Sequence, residues 1–229
     1  MKISILTLFP EMFSGPFDYS IVKRAQEKGF VQLQLVNIRN FGIGTHKIVD
    51  DKPFGGGTGM VMRVDVLDTA IQQVRDTTLQ KHEELCVLLD ARGTTFTQQV
   101  AQEFSQLKHL ILICGHYEGV DERVRTLVDT TISIGDFILT GGEIPAILIT
   151  DAVTRLVRGV LKDNATIYES FSPIDSGKYL LEYPQYTTPR EYKGMTVPEI
   201  LLSGNHKRID VWKKEQAHEI TKKYRPDFV

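Results

Sequence analysis

Short, almost uninterrupted apolar runs recur along this chain, with segments of helical periodicity between them. KISILTLF (2–9), LCVLLD (85–90), HLILIC (109–114) and residues 131–134 each have the length of a strand. A run that is apolar on both faces suits a strand covered on both sides, as in a parallel sheet. VQLQLVNI (31–38) alternates apolar and polar residues and reads as a strand with one wet face. Helices are predicted over 14–28, with Ser14 as cap and Gly29 as stop, then 64–76, 97–107, a short one near 120–128, and 143–158 opened by Pro145. Strands alternating with helices predict an α/β fold on a mostly parallel sheet.

The remaining segments set the domain plan. Residues 39–60 are glycine-rich and lack an apolar period, which predicts a long loop of the kind that usually carries function. Residues 197–225 look helical and basic. At 229 residues, one main domain with an appendage is expected. We divide the chain into a main domain (1–160), an irregular linker (161–190) and a small helical, basic domain (191–229).

Charge narrows the partners. Residues 1–189 carry 18 Lys and Arg against 23 Asp and Glu, whereas residues 190–229 carry nine against six. The chain has no basic coat, but its C-terminal part offers a local basic patch, which is enough for RNA. Cys86 and Cys114 sit in apolar runs without CxxC spacing, so they read as buried thiols and not as zinc ligands. No apolar run approaches the ~20 residues that span a bilayer. The opening MKISILTLFPEMF is too short for a secretory signal, and Pro10 and Glu11 stand where a cleavage site would be. A cytoplasmic protein is expected, with no membrane partner.

Ligands of parallel α/β sheets bind at the carboxyl ends of the strands. Three loops leave strands there: Leu88–Gly93, Cys114–Gly119 and Ser133–Glu143. Their glycines let backbone approach a ligand closely. Any one of them reads equally well as a tight turn; three at one edge favour a ligand site. Neither GxGxxG nor GxxxxGK[ST] is present, so neither the dinucleotide fingerprint nor the P-loop applies. Gly55, Gly56, Gly57 and Gly59 lack the strand before and the Lys after that a phosphate cradle needs, and suit a mobile loop instead. His46, Lys47, Asp50, Asp51 and Lys52 precede them. Taken singly these are solvated surface groups; beside a glycine hinge they suit splayed nucleotides.

Several segments together are far more specific. LFPEMF (8–13), VDDKPFGGGTGMVM (49–62), CGHYEGVDERV (114–124), SIGDFILTGGEIPA (133–146), PQYTTP (184–189) and VPEILLSGNH (197–206) resemble, in order and almost without gaps, the bacterial tRNA (guanine-N1-)-methyltransferase family. The resemblance implies the SPOUT methyltransferase fold, an α/β fold whose chain threads a trefoil knot, one of the rare exceptions to unknotted chains. It implies S-adenosylmethionine as methyl donor, a homodimer with active sites shared between subunits, and tRNA as substrate. The product would be N1-methylguanosine just 3′ of the anticodon.

The same resemblance places residues. The cofactor site would fall on Leu88, Leu89, Gly115, Tyr117 and Glu118, on the hexapeptide Ile134, Gly135, Asp136, Phe137, Ile138 and Leu139, and on Gly141, Gly142 and Pro145. The guanidinium that steadies negative charge on guanine O6 falls on Arg155. The general base, an aspartate in the family, falls on Glu169, one methylene longer; Asp175 is the next acid in line. RNA contacts fall on His46, Asp50, Lys52 and the loop glycines 55, 56, 57 and 59, and on Lys207, Arg208, Lys213 and Lys214. Phosphate contacts of this kind make affinity fall steeply with salt. Trp212 reads as a core anchor. The family often needs Mg²⁺ for turnover, and no ligand cluster stands out for it here.

Other departures touch the cofactor loops. Leu89-Asp90-Ala91 replaces the family's Ser-Pro-Gln, and no proline precedes Gly159. The chain also stops at Val229, earlier than many members, which predicts a weaker grip on tRNA. Three alternatives stay open: a knotted methyltransferase with another RNA target, a non-catalytic RNA-binding relative, and a small-molecule nucleotide-binding module. Cofactor binding without methyl transfer separates the second from the enzyme.

Overall fold

A computed structural model describes residues 1–163, 165–174 and 178–229. Asp175 lies outside the described residues. The chain divides into two compact units, Met1–Leu161 and Lys162–Val229. The fold is mixed α/β with a central parallel sheet and six helices among the described residues.

The first unit is built on five parallel strands: β1 (Lys2–Thr7), β2 (Gln32–Asn37), β5 (Glu84–Thr95), β6 (His109–Cys114) and β7 (Thr130–Ser133). Their order across the sheet is β2-β1-β6-β5-β7. Side chains alternate between the two faces, and each face has its own core. Ile3, Ile5, Val87, Leu89, Leu110 and Leu112 pack against α1 (Ser20–Glu27), α3 (Gln98–Ser105) and α4 (Glu143–Thr154). Leu6, Cys86, Leu88, Ile111 and Ile113 pack against α2 (Val64–Val74). Each such side chain contributes roughly 1.5–3 kcal/mol of hydrophobic stabilisation.

The predicted segments all appear, with corrected bounds. The helix expected over 14–28 begins only at Ser20, and Tyr19, not Ser14, is its N-cap. Gly15 has φ +95 and its N–H bonds the Asp18 carboxylate, so this stretch turns before it can coil. The helix expected to reach 158 ends at Thr154, and Arg155 caps it. The segment near 120–128 is a 3₁₀ turn at Glu122–Thr126. The long loop over 39–60 is partly ordered: β3 (Asp50–Asp51) pairs antiparallel with β4 (Val61–Met62), and Ile43 bridges Ile48. β5 runs past its apolar stretch because it pairs with β7 twice, up to Leu89 and again from Thr94. Asp90–Gly93 leave the ladder between those two stretches.

The second unit holds α5 (Glu199–Leu202) and the 19-residue α6 (His206–Tyr224). It also holds two hairpins the sequence did not announce: β8 (Ser172–Ile174) with β9 (Lys178–Leu180), and β10 (Glu191–Tyr192) with β11 (Met195–Thr196). Thr221 is buried and its hydroxyl accepts from the Leu181 N–H at 2.8 Å, tying α6 to the segment after β9. Half-buried Trp212 lies 6.4 Å from the Tyr186 ring, as an anchor of this unit.

Candidate functional site

The break inside β5 and the loops that leave the carboxyl ends of β6 and β7 converge on one cavity of about 470 Å³, a common size for a small-molecule site. It takes Leu89 from the first of these segments, and Gly115, Tyr117 and Glu118 from the second. The third gives Ile134, Gly135, Phe137, Ile138, Leu139, Gly141 and Gly142, and α4 adds Pro145. Two expected residues are elsewhere. Leu88 is fully buried on the opposite face, because neighbours on a strand point to opposite sides. Asp136 is exposed and does not line the cavity.

The floor is backbone pressed on backbone. The Gly142 N–H donates to the Gly115 carbonyl at 2.8 Å. A Cβ on Gly142 would lie 2.6 Å from the Cα of Cys114, and one on Gly141 would strike the Glu143 carboxylate. Gly115 is different. A Cβ there meets only the Leu89 carbonyl at 3.6 Å and a Val120 methyl at 3.8 Å, which are ordinary contacts. The protein itself leaves room for a side chain at 115, on a wall that faces the cavity. Gly135, at φ +145, adopts a backbone that L side chains rarely take.

A buried polar group supports this floor. Glu143 opens α4, where the helix N-terminus favours a carboxylate, and accepts from the Thr7 hydroxyl at 2.7 Å. The Thr7 hydroxyl in turn accepts from the Phe9 N–H at 2.9 Å. His116 packs edge-on to both Phe9 and Tyr117, with ring centres 4.9 Å apart in each case. Burial pushes the Cys86 thiol up to about 12 and Cys114 well above its ordinary value, so both are inert core thiols.

The rim is charged, and sequence reasoning missed most of it. Asp90 pairs with Arg125 at 3.1 Å and Arg92 at 3.3 Å; Arg92 and Arg125 each reach Glu122. Burial opposes ionisation of Asp90, but the Arg92 N–H, its guanidinium and Arg125 outweigh it and hold the carboxyl below its ordinary value. Asp90, Arg92 and His116 all line the cavity. The one signal for them was position, in loops that follow strands.

The glycine-rich segment is the tip of the β3–β4 hairpin. Its base is stitched to the cavity wall: the Glu118 N–H donates to the Met60 carbonyl, and the Met62 N–H to that of Gly119, both at 3.0 Å. A Cβ on Gly59 would lie 2.5 Å from the Glu118 side chain. Asp50 is half-buried in β3, and Lys52 and His46 are exposed. Gly55, Gly56 and Gly57 form the exposed tip.

Arg155 is half-buried at the end of α4 in the first unit. Glu169 belongs to the second unit, half-buried before β8. There it lines a cavity of about 320 Å³ with Tyr168, Tyr183, Asp210, Lys213 and Lys214. Lys207, Arg208 and Lys214 are exposed on α6, whereas the Lys213 ammonium lies 4.7 Å from the centre of the Tyr183 ring and is half-buried. Among the described residues, no group of three or more His, Cys, Asp or Glu is placed to hold a metal ion. No helix among them is long and apolar enough to cross a membrane.

The family model described as tRNA (Guanine-1)-methyltransferase TrmD matches residues 1–229. The chain belongs to this family. Its relatives include three that carry the name tRNA (guanine-N(1)-)-methyltransferase. That of Carboxydothermus hydrogenoformans is 55% identical over 219 residues, covering 95% of this chain and 83% of the relative. That of Dictyoglomus turgidum is 50% identical over 230 residues, covering 100% and 90%. That of Staphylococcus epidermidis is 50% identical over 231 residues, covering 100% and 91%. Family membership thus spans both the cavity unit and the unit that carries Glu169.

Proposed function

We propose that this member of the tRNA (guanine-1)-methyltransferase family methylates N1 of the guanosine 3′-adjacent to the anticodon, using S-adenosylmethionine. The observation that carries the reading is the glycine-floored cavity of about 470 Å³, in a chain matched by the family over its full length. The cofactor supplies an electrophilic methyl group on a sulfonium. The donor set suits it: Leu89, Ile134, Leu139 and Tyr117 offer apolar and aromatic contact, and the backbone of the glycine turns offers hydrogen bonds. Gly115 keeps its wall clear for the ligand, since nothing in the protein requires a glycine there.

N1 of guanine carries a proton and has no free lone pair until that proton leaves. Glu169 takes it as general base. Negative charge then grows on O6, and the Arg155 guanidinium steadies it. We assign the cofactor site to the knotted SPOUT topology. We also assign a homodimer: α4 is apolar nearly all round, with Ile144 and Leu148 at 50% and 44% exposure. Lys207, Arg208 and Lys214 supply phosphate contacts. A Mg²⁺ requirement for turnover is part of the proposal without assigned residues. The cytoplasm is the compartment in which such a substrate is met.

The glutamate in place of aspartate favours one second reading, a non-catalytic tRNA-binding relative. Glu169→Gln decides. The variant is expected to lose at least a hundredfold in turnover with cofactor affinity unchanged. Near-normal turnover removes Glu169 from the base role. Wild-type protein that binds cofactor and tRNA but transfers no methyl supports the second reading.

A further inference from the structure

Phe54 is 99% exposed, at the tip of the β3–β4 hairpin. A ring so exposed offers both of its faces to a partner that stacks on it. The space beside it is open: Gly55 and Gly56, at φ +89 and +83, have nothing within 4 Å of an added Cβ. Its mounting is firm, because Met60 and Met62 are bonded to the Glu118–Gly119 turn of the cavity wall. Five Cα–Cα steps lead from Phe54 to Gly59, so its Cα lies at most about 18 Å from the wall. A partner of Phe54 therefore also reaches the cavity mouth.

Resting on the tRNA reading, we propose that Phe54 is a stacking residue. It occupies the gap left in the anticodon-loop stack when the target guanosine turns into the cavity. A base must leave its stack for its N1 edge to enter a concave site. The vacated step is the thickness of one aromatic ring, and proteins fill such steps with apolar wedges. Stacking on a ring is tolerant of base identity, so Phe54 contributes affinity and positioning and no sequence preference. Exposed Lys52, two residues away, carries a charge suited to the flanking phosphate.

The test compares Phe54→Ala, Phe54→Leu and Phe54→Tyr in the full-length protein. The readouts are kcat/KM for a tRNA transcript, cofactor affinity by calorimetry, and fluorescence of 2-aminopurine placed 5′ to the target. Alanine and leucine are expected to lower kcat/KM about ten- to a hundredfold and to abolish the quenching of 2-aminopurine. Tyrosine should keep both near wild type, and none should change cofactor affinity. Leucine matching wild type would overturn stacking in favour of apolar bulk. Unchanged alanine kinetics would overturn the role altogether, and a matching loss of cofactor affinity would make Phe54 a cover for the cofactor instead. Wild-type protein that methylates no tRNA refutes the functional reading first, and this inference with it.

Discussion

Gly142 at the cavity floor and Gly93 in β5 stand where an added Cβ would come within 2.5–2.6 Å of neighbouring backbone. At the hairpin tip, Gly55 and Gly56 have no neighbour within 4 Å. The floor glycines let two chain segments touch and so fix the shape of the cavity. The tip glycines set backbone direction and leave the segment unpacked. A glycine-rich motif is therefore two different devices, and only its surroundings tell them apart. Gly115 is a third case, where the protein has room and the proposed ligand does not.

Substitutions can break this contrast. Gly142→Ala should have the largest effect. It forces the Cys114 backbone away, at a cost of about 1–3 kcal/mol of stability, and should weaken cofactor binding as well; chemical denaturation and calorimetry check both. Gly115→Ala should leave the denaturation midpoint in place and still weaken the cofactor about tenfold or more. A midpoint shift as large as that of Gly142→Ala would place Gly115 among the packing glycines. Gly56→Ala should change stability by about 1 kcal/mol or less. The strain of a left-handed residue is ~1–2 kcal/mol and is partly offset by a stiffer unfolded chain. Its effect should fall on kcat/KM for tRNA, several-fold, with cofactor affinity intact.

The smallest effect belongs to the far end of the strands. His109 is buried, with Nδ1 2.7 Å from Glu84 and Nε2 2.9 Å from the Ser4 hydroxyl. Burial lowers its affinity for a proton, against the pull of Glu84. The unfolded chain then binds more protons than the folded one in mild acid. The stability contributed by neutral His109 is complete above its ordinary value of about 6.5. It is lost as the pH falls from there through the lower folded value. Thermal melts at pH 5 and 7.5 should show a larger drop for wild type than for His109→Gln, at unchanged cofactor affinity at pH 7.5.

Much of the fold could be read directly. β6 runs over the predicted residues, because HLILIC is apolar after its first residue and central in the sheet. The β3–β4 hairpin could not, because two-residue strands carry no period. Nor could the second half of β5, since ARGTT pairs only because β7 lies alongside. In the site, glycine turns after strands were legible. The Asp90–Arg92–Arg125–Glu122 rim was not, because it joins loops some 30 residues apart by charge alone. The place of the Leu88 side chain was not legible either, because neighbours on a strand point to opposite faces and Leu88 packs in the core beside α2.

The central claim is methyl transfer to one nucleotide, and two tRNA transcripts test it most directly. They differ only at the position 3′ of the anticodon, guanosine in one and adenosine in the other. With labelled S-adenosylmethionine, label is expected in the guanosine transcript alone, recovered as N1-methylguanosine after digestion to nucleosides. Equal label in both transcripts, or none in either while the cofactor binds, would contradict it.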